Sequence, residues 1–293
     1  MEDREYVLVQ RRALALTGID LRSYKSKQMR RRLGSLLRQS GYRSWFEYLR
    51  VMEKDEDVLQ QFKDFITINV SSFFRDPEKF KQLRANILPA LLRDRRFLSV
   101  WSAGSSHGGE PYTIAMLLQE DAPGRPHRIL GTDIDRRNLE KSQAGGPYSH
   151  DDVKTVHPAL LKKYFTREGS EYRVADSIRR MVRFRYFNLL EDTVTGRFDL
   201  IVCRNVVIYF TDETKDLLYR RFYDALTPGG VLFVGGTEIV TKARAIGFSG
   251  AGISFYRKNG TLSILRDEQD VKPPQSPNFE GLGGGAGGRS PSY

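Results

Sequence analysis

The sequence predicts an α/β protein in which an all-helical amino-terminal domain precedes a doubly wound, mostly parallel β-sheet. Residues 1–85 carry apolar side chains at the spacing of helices and few strand signals. From about residue 96, short apolar runs alternate with helical patterns, as in a doubly wound sheet. We therefore expect a helical domain at 1–85, an α/β domain at 86–262 and a disordered tail at 263–293, which is rich in Gly, Pro and Ser.

One predicted helix, from about Leu21 to Ser40, has an apolar face and a basic face. The basic side chains are Lys27, Arg30, Arg31 and Arg38. Residues 1–50 hold twelve Lys or Arg and five Asp or Glu, so they contribute +7 to the net charge of +11. This face is either a solvated surface or a contact for an acidic partner. Charge alone does not choose among nucleic acid, anionic lipid and a carboxylate-rich protein.

Five short apolar runs predict the strands of the parallel sheet. They cover residues 97–101, 129–132, 184–187, 200–203 and 231–234, and residues 248–257 predict a closing antiparallel strand or hairpin. An unusually long connection separates the second helix of the α/β domain from the third strand. Because long connections usually carry structure or function, we expect a small inserted β subdomain at about 145–182.

Composition excludes several classes of protein. Cys203 is the only cysteine, which excludes an internal disulfide and a cysteine zinc cluster. No stretch has the roughly 18 to 20 apolar residues of a membrane span, and the first residues lack the pattern of a signal peptide. The expected location is the cytoplasm, without insertion into a membrane.

The loop after the first strand, residues 102–112, predicts a nucleotide-type pocket. Its small residues allow a ligand to approach the backbone closely, and the next helix offers its positive amino end. The loop matches neither G-x-G-x-x-G nor a P-loop, which argues against a pyrophosphate ligand. An acid at the end of the second strand, Asp133, suits ribose hydroxyls, whereas Asp135 suits a helix cap.

Polar residues also follow the third and fourth strands. Asn188 and Leu189 stand where an amide and nearby backbone could read adenine. Arg204 and Asn205 follow the fourth strand, and Tyr209 comes soon after. Ligands of open α/β sheets collect at the carboxyl ends of strands, so these residues are candidates for the site.

Together, the motifs resemble the chemotaxis receptor glutamate methyltransferase family, the CheR type. The resemblance covers about residues 10–258 and depends on motifs at 69–75, 101–112, 132–135, 188–190 and 203–210. It implies a class I Rossmann-like methyltransferase fold with S-adenosylmethionine as cofactor, S-adenosylhomocysteine as product and no metal. The reaction implied is the methylation of glutamate carboxylates on methyl-accepting chemoreceptors, giving γ-glutamyl methyl esters for chemotactic adaptation.

The resemblance also implies roles for individual residues. Tyr209 and Arg75 would border the transferred methyl group. The implied cofactor-binding residues are Asn69, Ser71, Arg75, Glu110, Asp133, Asn188, Leu189, Arg204 and Asn205. The basic helix face would dock on acidic receptor helices, and the protein would be a monomer recruited to membrane receptor arrays.

Two departures from the family pattern lie in the glycine-rich loop. His107 and Gly109 replace a threonine and a glutamate, while Glu110 is retained. The turn around residues 168–170 looks short, so we expect no tethering of a receptor tail by the inserted subdomain. Two alternatives remain, a nucleic-acid methyltransferase and a non-catalytic module that senses the cofactor. The first lacks an Asn-Pro-Pro-Tyr type of element after the fourth strand, so no nucleic-acid partner is expected.

Overall fold

The computed structural model describes residues 1–67 and 71–259. Residue Asn69 and the predicted tail lie outside the described residues. Within the described ranges, no helix is both long and apolar enough to cross a membrane.

Four helices form the amino-terminal part of the chain. They are α1 (Asp3–Thr17), α2 (Ser26–Ser40), α3 (Trp45–Met52) and α4 (Glu56–Thr67). Gly18 and Gly41 end α1 and α2 with φ of 72° and 77°, a left-handed conformation that glycine adopts without strain. Buried side chains from all four helices form one apolar cluster, which includes Val9, Leu33, Trp45 and Phe62.

The predicted helix from Leu21 to Ser40 is interrupted near its start. Asp20 caps a short 3₁₀ turn, Leu21–Ser23, by accepting a hydrogen bond from the Arg22 backbone. Tyr24 is extended and forms an isolated β-bridge with Phe210 in the α/β domain. The prediction of a single helix was therefore wrong at its start, because a contact between distant segments holds residue 24 outside the helix.

Two further helices lead into the sheet. They are α5 (Pro77–Gln82) and α6 (Leu88–Arg93), joined by a π-helical turn, Leu83–Ile87. Their buried side chains share an apolar cluster with strand residues such as Val100 and Phe233. The domain boundary near residue 85 remains a prediction.

The strands in chain order confirm the predicted mostly parallel sheet. They are β1 (Ser99–Ala103), β2 (Arg128–Asp133), β3 (Phe165–Glu168), β4 (Glu171–Val174), β5 (Val182–Tyr186), β6 (Phe198–Cys203), β7 (Leu226–Val234), β8 (Phe248–Gly250) and β9 (Phe255–Lys258). Seven of the described strands form one sheet in the order β5-β2-β1-β6-β7-β9-β8. The pairs among β1, β2, β5, β6 and β7 are parallel, whereas β9 pairs antiparallel with β7 and β8.

The remaining helices connect these strands. They are α7 (Gly109–Asp121), α8 (Arg136–Ala144), α9 (His150–Val153), α10 (Pro158–Tyr164), α11 (Asp176–Arg179), α12 (Asp212–Ala225) and α13 (Ala243–Ile246). The inserted subdomain contains α9, α10, the two-stranded hairpin β3-β4 and α11. The carboxyl ends of β1, β2, β5 and β6 lie at one edge of the sheet. The amino-terminal part of the chain contacts Phe210 near this edge through Tyr24.

Candidate functional site

An open pocket lies at the carboxyl edge of the sheet, between the strand ends and the amino-terminal helices. It encloses about 1030 Å³, open solvent at its mouth included. Predicted residues that line it are Ser71, Arg75, Glu110, Asp133, Asn188, Leu189, Arg204, Asn205 and Tyr209. The structure thus brings together every predicted cofactor residue that it describes.

The glycine-rich loop follows β1 and is held close to its neighbours. The backbone N–H groups of Gly104 and Ser105 both donate to the carbonyl of Thr132 at 2.9 Å. Gly104 has φ of 83°, and a Cβ at this position would lie 2.5 Å from Val206 Cγ2. Only glycine fits here, because both the backbone conformation and the space exclude a side chain.

Asp133 lies at the end of β2, with 9% of the residue exposed. Its carboxylate accepts hydrogen bonds from the backbone of Ser106 at 2.7 Å and of Asp135 at 3.0 Å. Burial raises the pKa of Asp133 to about 6, despite these bonds. Asp135 caps α8 through hydrogen bonds from the Arg137 and Asn138 backbones, which confirms the prediction of a capping role.

Arg204 and Glu110 form a buried ion pair in the pocket wall. Arg204 Nη1 lies 3.4 Å from Glu110 Oε2, and Ser102 donates to Glu110 Oε1 at 2.8 Å. Arg204 Nη2 also donates to Asp76 at 2.6 Å and to the Arg75 carbonyl at 2.9 Å. Burial nonetheless raises the pKa of Glu110. Arg204 therefore joins the loop after β6 to the glycine-rich loop and to the segment before α5.

Five polar side-chain atoms of the glycine-rich loop and the loop after β6 are buried without a hydrogen bond among the described residues. They are Ser105 Oγ, Ser106 Oγ, His107 Nδ1, Arg204 Nε and Asn205 Oδ1. Asn205 and Ser106 line the pocket. Because buried polar atoms are normally paired, these two are available to a polar ligand.

Asn188 links the pocket to the amino-terminal domain. Its side-chain Nδ2 donates to the Gly18 carbonyl at 3.2 Å, and its Oδ1 accepts from the Leu190 backbone at 3.0 Å. Its side-chain amide therefore holds the loop after β5 in addition to lining the pocket.

Tyr209 stands on a 3₁₀ turn, Val207–Tyr209, after β6. Its carbonyl accepts a hydrogen bond from the Lys25 backbone at 2.9 Å, so the start of α2 is attached to the Tyr209 loop.

Arg32 of α2 is partly buried, interacts electrostatically with Tyr209 and stacks on Phe65. Burial lowers the pKa of the Arg32 guanidinium.

The amino-terminal domain contributes further pocket residues that sequence reasoning missed. They are Ile19, Asp20, Tyr24, Ile66 and Thr67. Ile134, Phe187, Leu190, Val206 and Phe210 of the α/β domain line the pocket as well. Strand-end patterns could have indicated Ile134 and Phe187, but no local signal places residues 19–24 at this pocket.

His107 and Gly109 contact the segment that precedes Arg75. His107 is buried, with Nε2 2.9 Å from the Ser71 carbonyl and 3.6 Å from Asp152 Oδ1. A Cβ at Gly109 would lie 3.1 Å from the Ser72 carbonyl carbon. These two departures from the family pattern therefore occur where the glycine-rich loop packs against residues 71–72.

The predicted docking residues differ in their surroundings. Lys27, Arg31 and Arg38 are exposed. Arg30 pairs with Asp3 at 2.8 Å and stacks over Tyr6 at 4.2 Å. Three of the four side chains are therefore presented to solvent, whereas Arg30 also attaches α2 to α1.

In comparisons with known proteins, both the helical part and the α/β part of the chain have matches. The CheR methyltransferase all-alpha domain matches residues 4–67, and the CheR methyltransferase SAM-binding domain matches residues 69–251. A chemotaxis protein methyltransferase from Listeria monocytogenes is 37% identical over 257 residues, which cover 87% of this chain and 98% of the relative. A protein of the same name from Escherichia coli strain K12 is 37% identical over 232 residues, covering 75% and 79%. Chemotaxis protein methyltransferase 2 from Vibrio cholerae is 34% identical over 234 residues, covering 77% and 80%.

Proposed function

Because the chain belongs to the CheR methyltransferase family, its activity is S-adenosylmethionine-dependent methylation in chemotaxis, and we propose that it methylates glutamate side chains of chemoreceptors. The products would be γ-glutamyl methyl esters and S-adenosylhomocysteine. The observation that most supports a carboxylate acceptor is that a tyrosine hydroxyl and a guanidinium group, those of Tyr209 and Arg75, belong to residues that line the same pocket.

The polar groups of the pocket fit the expected cofactor. Asp133 has a carboxylate suited to ribose hydroxyls, and Asn188 and Leu189 lie where adenine would be read. The buried Asn205 Oδ1 and Ser106 Oγ have no protein partner in the described chain and can pair with polar groups of the cofactor. When bound, S-adenosylmethionine supplies a methyl group that its sulfonium has already activated. The proposed reaction requires no metal ion.

The protein's own residues would mainly orient the acceptor. A glutamate has a reference pKa of about 4.3, so it is already ionised near neutrality and needs no general base. The Tyr209 hydroxyl can donate a hydrogen bond to one carboxylate oxygen, and Arg75 can balance its charge. Alignment in a site that excludes water can supply about 7 to 11 kcal/mol of the barrier.

The exposed cations of α2 would bring the receptor to this pocket. Because the Lys25 backbone is bonded to the Tyr209 carbonyl, α2 begins at the loop that carries Tyr209. Lys27, Arg31 and Arg38 would attract acidic receptor helices, with Arg30 contributing less because Asp3 already pairs with it. We further propose that the protein acts as a monomer in the cytoplasm and is recruited to membrane receptor arrays.

Methyl transfer to receptor-containing membranes tests this proposal. The purified protein would be incubated with radiolabelled S-adenosylmethionine and cognate receptors, and base-released methanol would be counted. Base-labile label on the receptor, reduced in Tyr209→Phe and retained in the matched control Tyr172→Phe, is the expected result. Cofactor binding without receptor labelling would contradict the proposal, and label on RNA would favour a nucleic-acid methyltransferase.

A further inference from the structure

The loop that carries Tyr209 leaves β6 in a backbone conformation that few residues adopt. Asn205 has φ of 60°, in the left-handed region, and the 3₁₀ turn of Tyr209 follows almost at once. Such a conformation costs energy and persists only where surrounding groups fix it. The groups bonded to this loop therefore determine the position of the Tyr209 side chain.

Glu238 supplies a buried carboxylate to the loop. The residue is 5% exposed, and its Oε2 accepts from the backbone N–H of Asn205 at 3.0 Å and of Gly235 at 2.5 Å. One side chain thus attaches the start of the Tyr209 loop, at Asn205, to the end of β7.

Gly235 leaves space for the Glu238 carboxylate because it has no side chain. A Cβ at Gly235 would lie 2.5 Å from Glu238 Oε2 and 3.1 Å from the Asn205 nitrogen. Burial raises the pKa of Glu238, although Arg204, whose side chain is 3% exposed, favours the ionised carboxylate. Within the described chain, Glu238 does not line the pocket. It therefore reaches a ligand only through the residues that it holds.

We propose that Glu238 is a positioning residue, whose carboxylate fixes the backbone of Asn205 and thereby sets the place of the Tyr209 hydroxyl. The inference rests on the proposed function, since methyl transfer is the reaction that Tyr209 would serve. Loss of the acceptor should lower turnover more than cofactor affinity. The ribose and adenine candidates, Asp133 and Asn188, lie on other loops.

Three variants separate this role from a general loss of structure. Glu238→Met removes the acceptor at similar length, Glu238→Gln keeps a neutral acceptor, and Thr237→Ala changes an exposed neighbour as control. For Glu238→Met we expect kcat to fall by about tenfold to a hundredfold, as for one lost hydrogen bond to a charged group. The Kd for S-adenosylhomocysteine should rise by a smaller factor than kcat falls, because Asn205 is the one cofactor candidate whose backbone is bonded to Glu238 among the described residues. Glu238→Gln should lower kcat by a smaller factor, about threefold to tenfold, because neutral hydrogen bonds are about half as strong.

A double-mutant cycle with Tyr209→Phe gives the decisive comparison. If Glu238 acts through Tyr209, Glu238→Met should cost little further kcat in the Tyr209→Phe background. An undiminished cost in that background, or an unchanged kcat in the single variant, would overturn the inference.

Hydrogen exchange of residues 204–210 provides a second readout that does not depend on the reaction. Faster exchange in Glu238→Gln than in Thr237→Ala supports the inference, including where Glu238→Met fails to fold, and equal exchange overturns it. A wild-type protein that forms no methyl ester would contradict the proposed function. The exchange comparison would still decide whether Glu238 holds the loop.

Discussion

Replacing Asp133 by asparagine should change how the stability of the protein depends on pH. Burial raises the pKa of Asp133 from its ordinary 3.8 to about 6 in the folded protein. The folded protein therefore binds this proton more tightly than the unfolded chain does. The stability that Asp133 contributes below pH 3.8 is lost as the pH rises through 3.8 to about 6.

The structure gives the size of this effect. The raised pKa means that the free energy of unfolding decreases by about 3 kcal/mol in total as the pH rises. About 2 kcal/mol of this decrease occurs between pH 4.5 and 7.5. Asparagine does not titrate, so the stability of Asp133→Asn relative to wild type should increase by that amount across the interval. A constant cost is also expected, since an amide cannot accept from both the Ser106 and Asp135 backbones, but this cost does not depend on pH.

Urea unfolding followed by circular dichroism, at several pH values between 4.5 and 7.5, measures this difference. Asp94→Asn is the matched control, because Asp94 is exposed. Titration with S-adenosylhomocysteine gives the functional counterpart. Wild-type affinity should fall below pH 6 as the carboxylate is protonated, while Asp133→Asn should bind weakly at every pH. Parallel pH profiles of unfolding for wild type and Asp133→Asn would refute this reasoning.

Three further predictions concern the loop, the reaction and docking. Gly104→Ala should weaken binding of S-adenosylhomocysteine by about tenfold or more in a calorimetric titration, because its Cβ has no room and its φ is positive. Tyr209→Phe should lower kcat by about tenfold to a hundredfold while changing the Kd for S-adenosylhomocysteine by less than about threefold, measured by methanol release and calorimetry. Arg31→Glu combined with Arg38→Glu should slow receptor methylation several-fold at low salt, and less at high salt, in the same release assay.

Each of these predictions has its own control. Gly124→Ala shares a positive φ of 75° but has nothing within 4 Å of the added Cβ, so it isolates backbone strain from the clash at Gly104. Equal effects of the two substitutions on cofactor affinity would contradict the packing argument.

Arg93→Glu with Arg96→Glu makes the same charge change on exposed residues just before β1. If this pair slowed methylation as much as the α2 pair, net charge and not a docking face would be responsible.

Much of the α/β domain and of its pocket could be predicted from sequence because both depend on local patterns. Buried parallel strands are short apolar runs, and the chemistry lies where each run ends, as at Asp133 and Asn188. The amino-terminal wall of the pocket could not be predicted in this way. Tyr24 leaves its helix because it pairs with Phe210, and α2 starts at the Tyr209 loop because the Lys25 backbone is bonded to the Tyr209 carbonyl. Contacts between such distant segments leave no trace in the spacing of residues.

The hydrogen bonds of the pocket distinguish residues that build the site from residues that can meet a ligand. Arg204 gives its guanidinium to Asp76, Glu110 and the Arg75 carbonyl, and it packs between Phe80 and Phe233. Its charge is thus mostly balanced by the protein, and its removal would leave the buried Glu110 carboxylate uncompensated. Asn205, by contrast, keeps an unpaired Oδ1 in the described pocket, while its backbone is fixed by Glu238. The adjacent residues Arg204 and Asn205 therefore have different roles. Arg204 holds three segments together, and Asn205 offers the cofactor an atom whose position is already set.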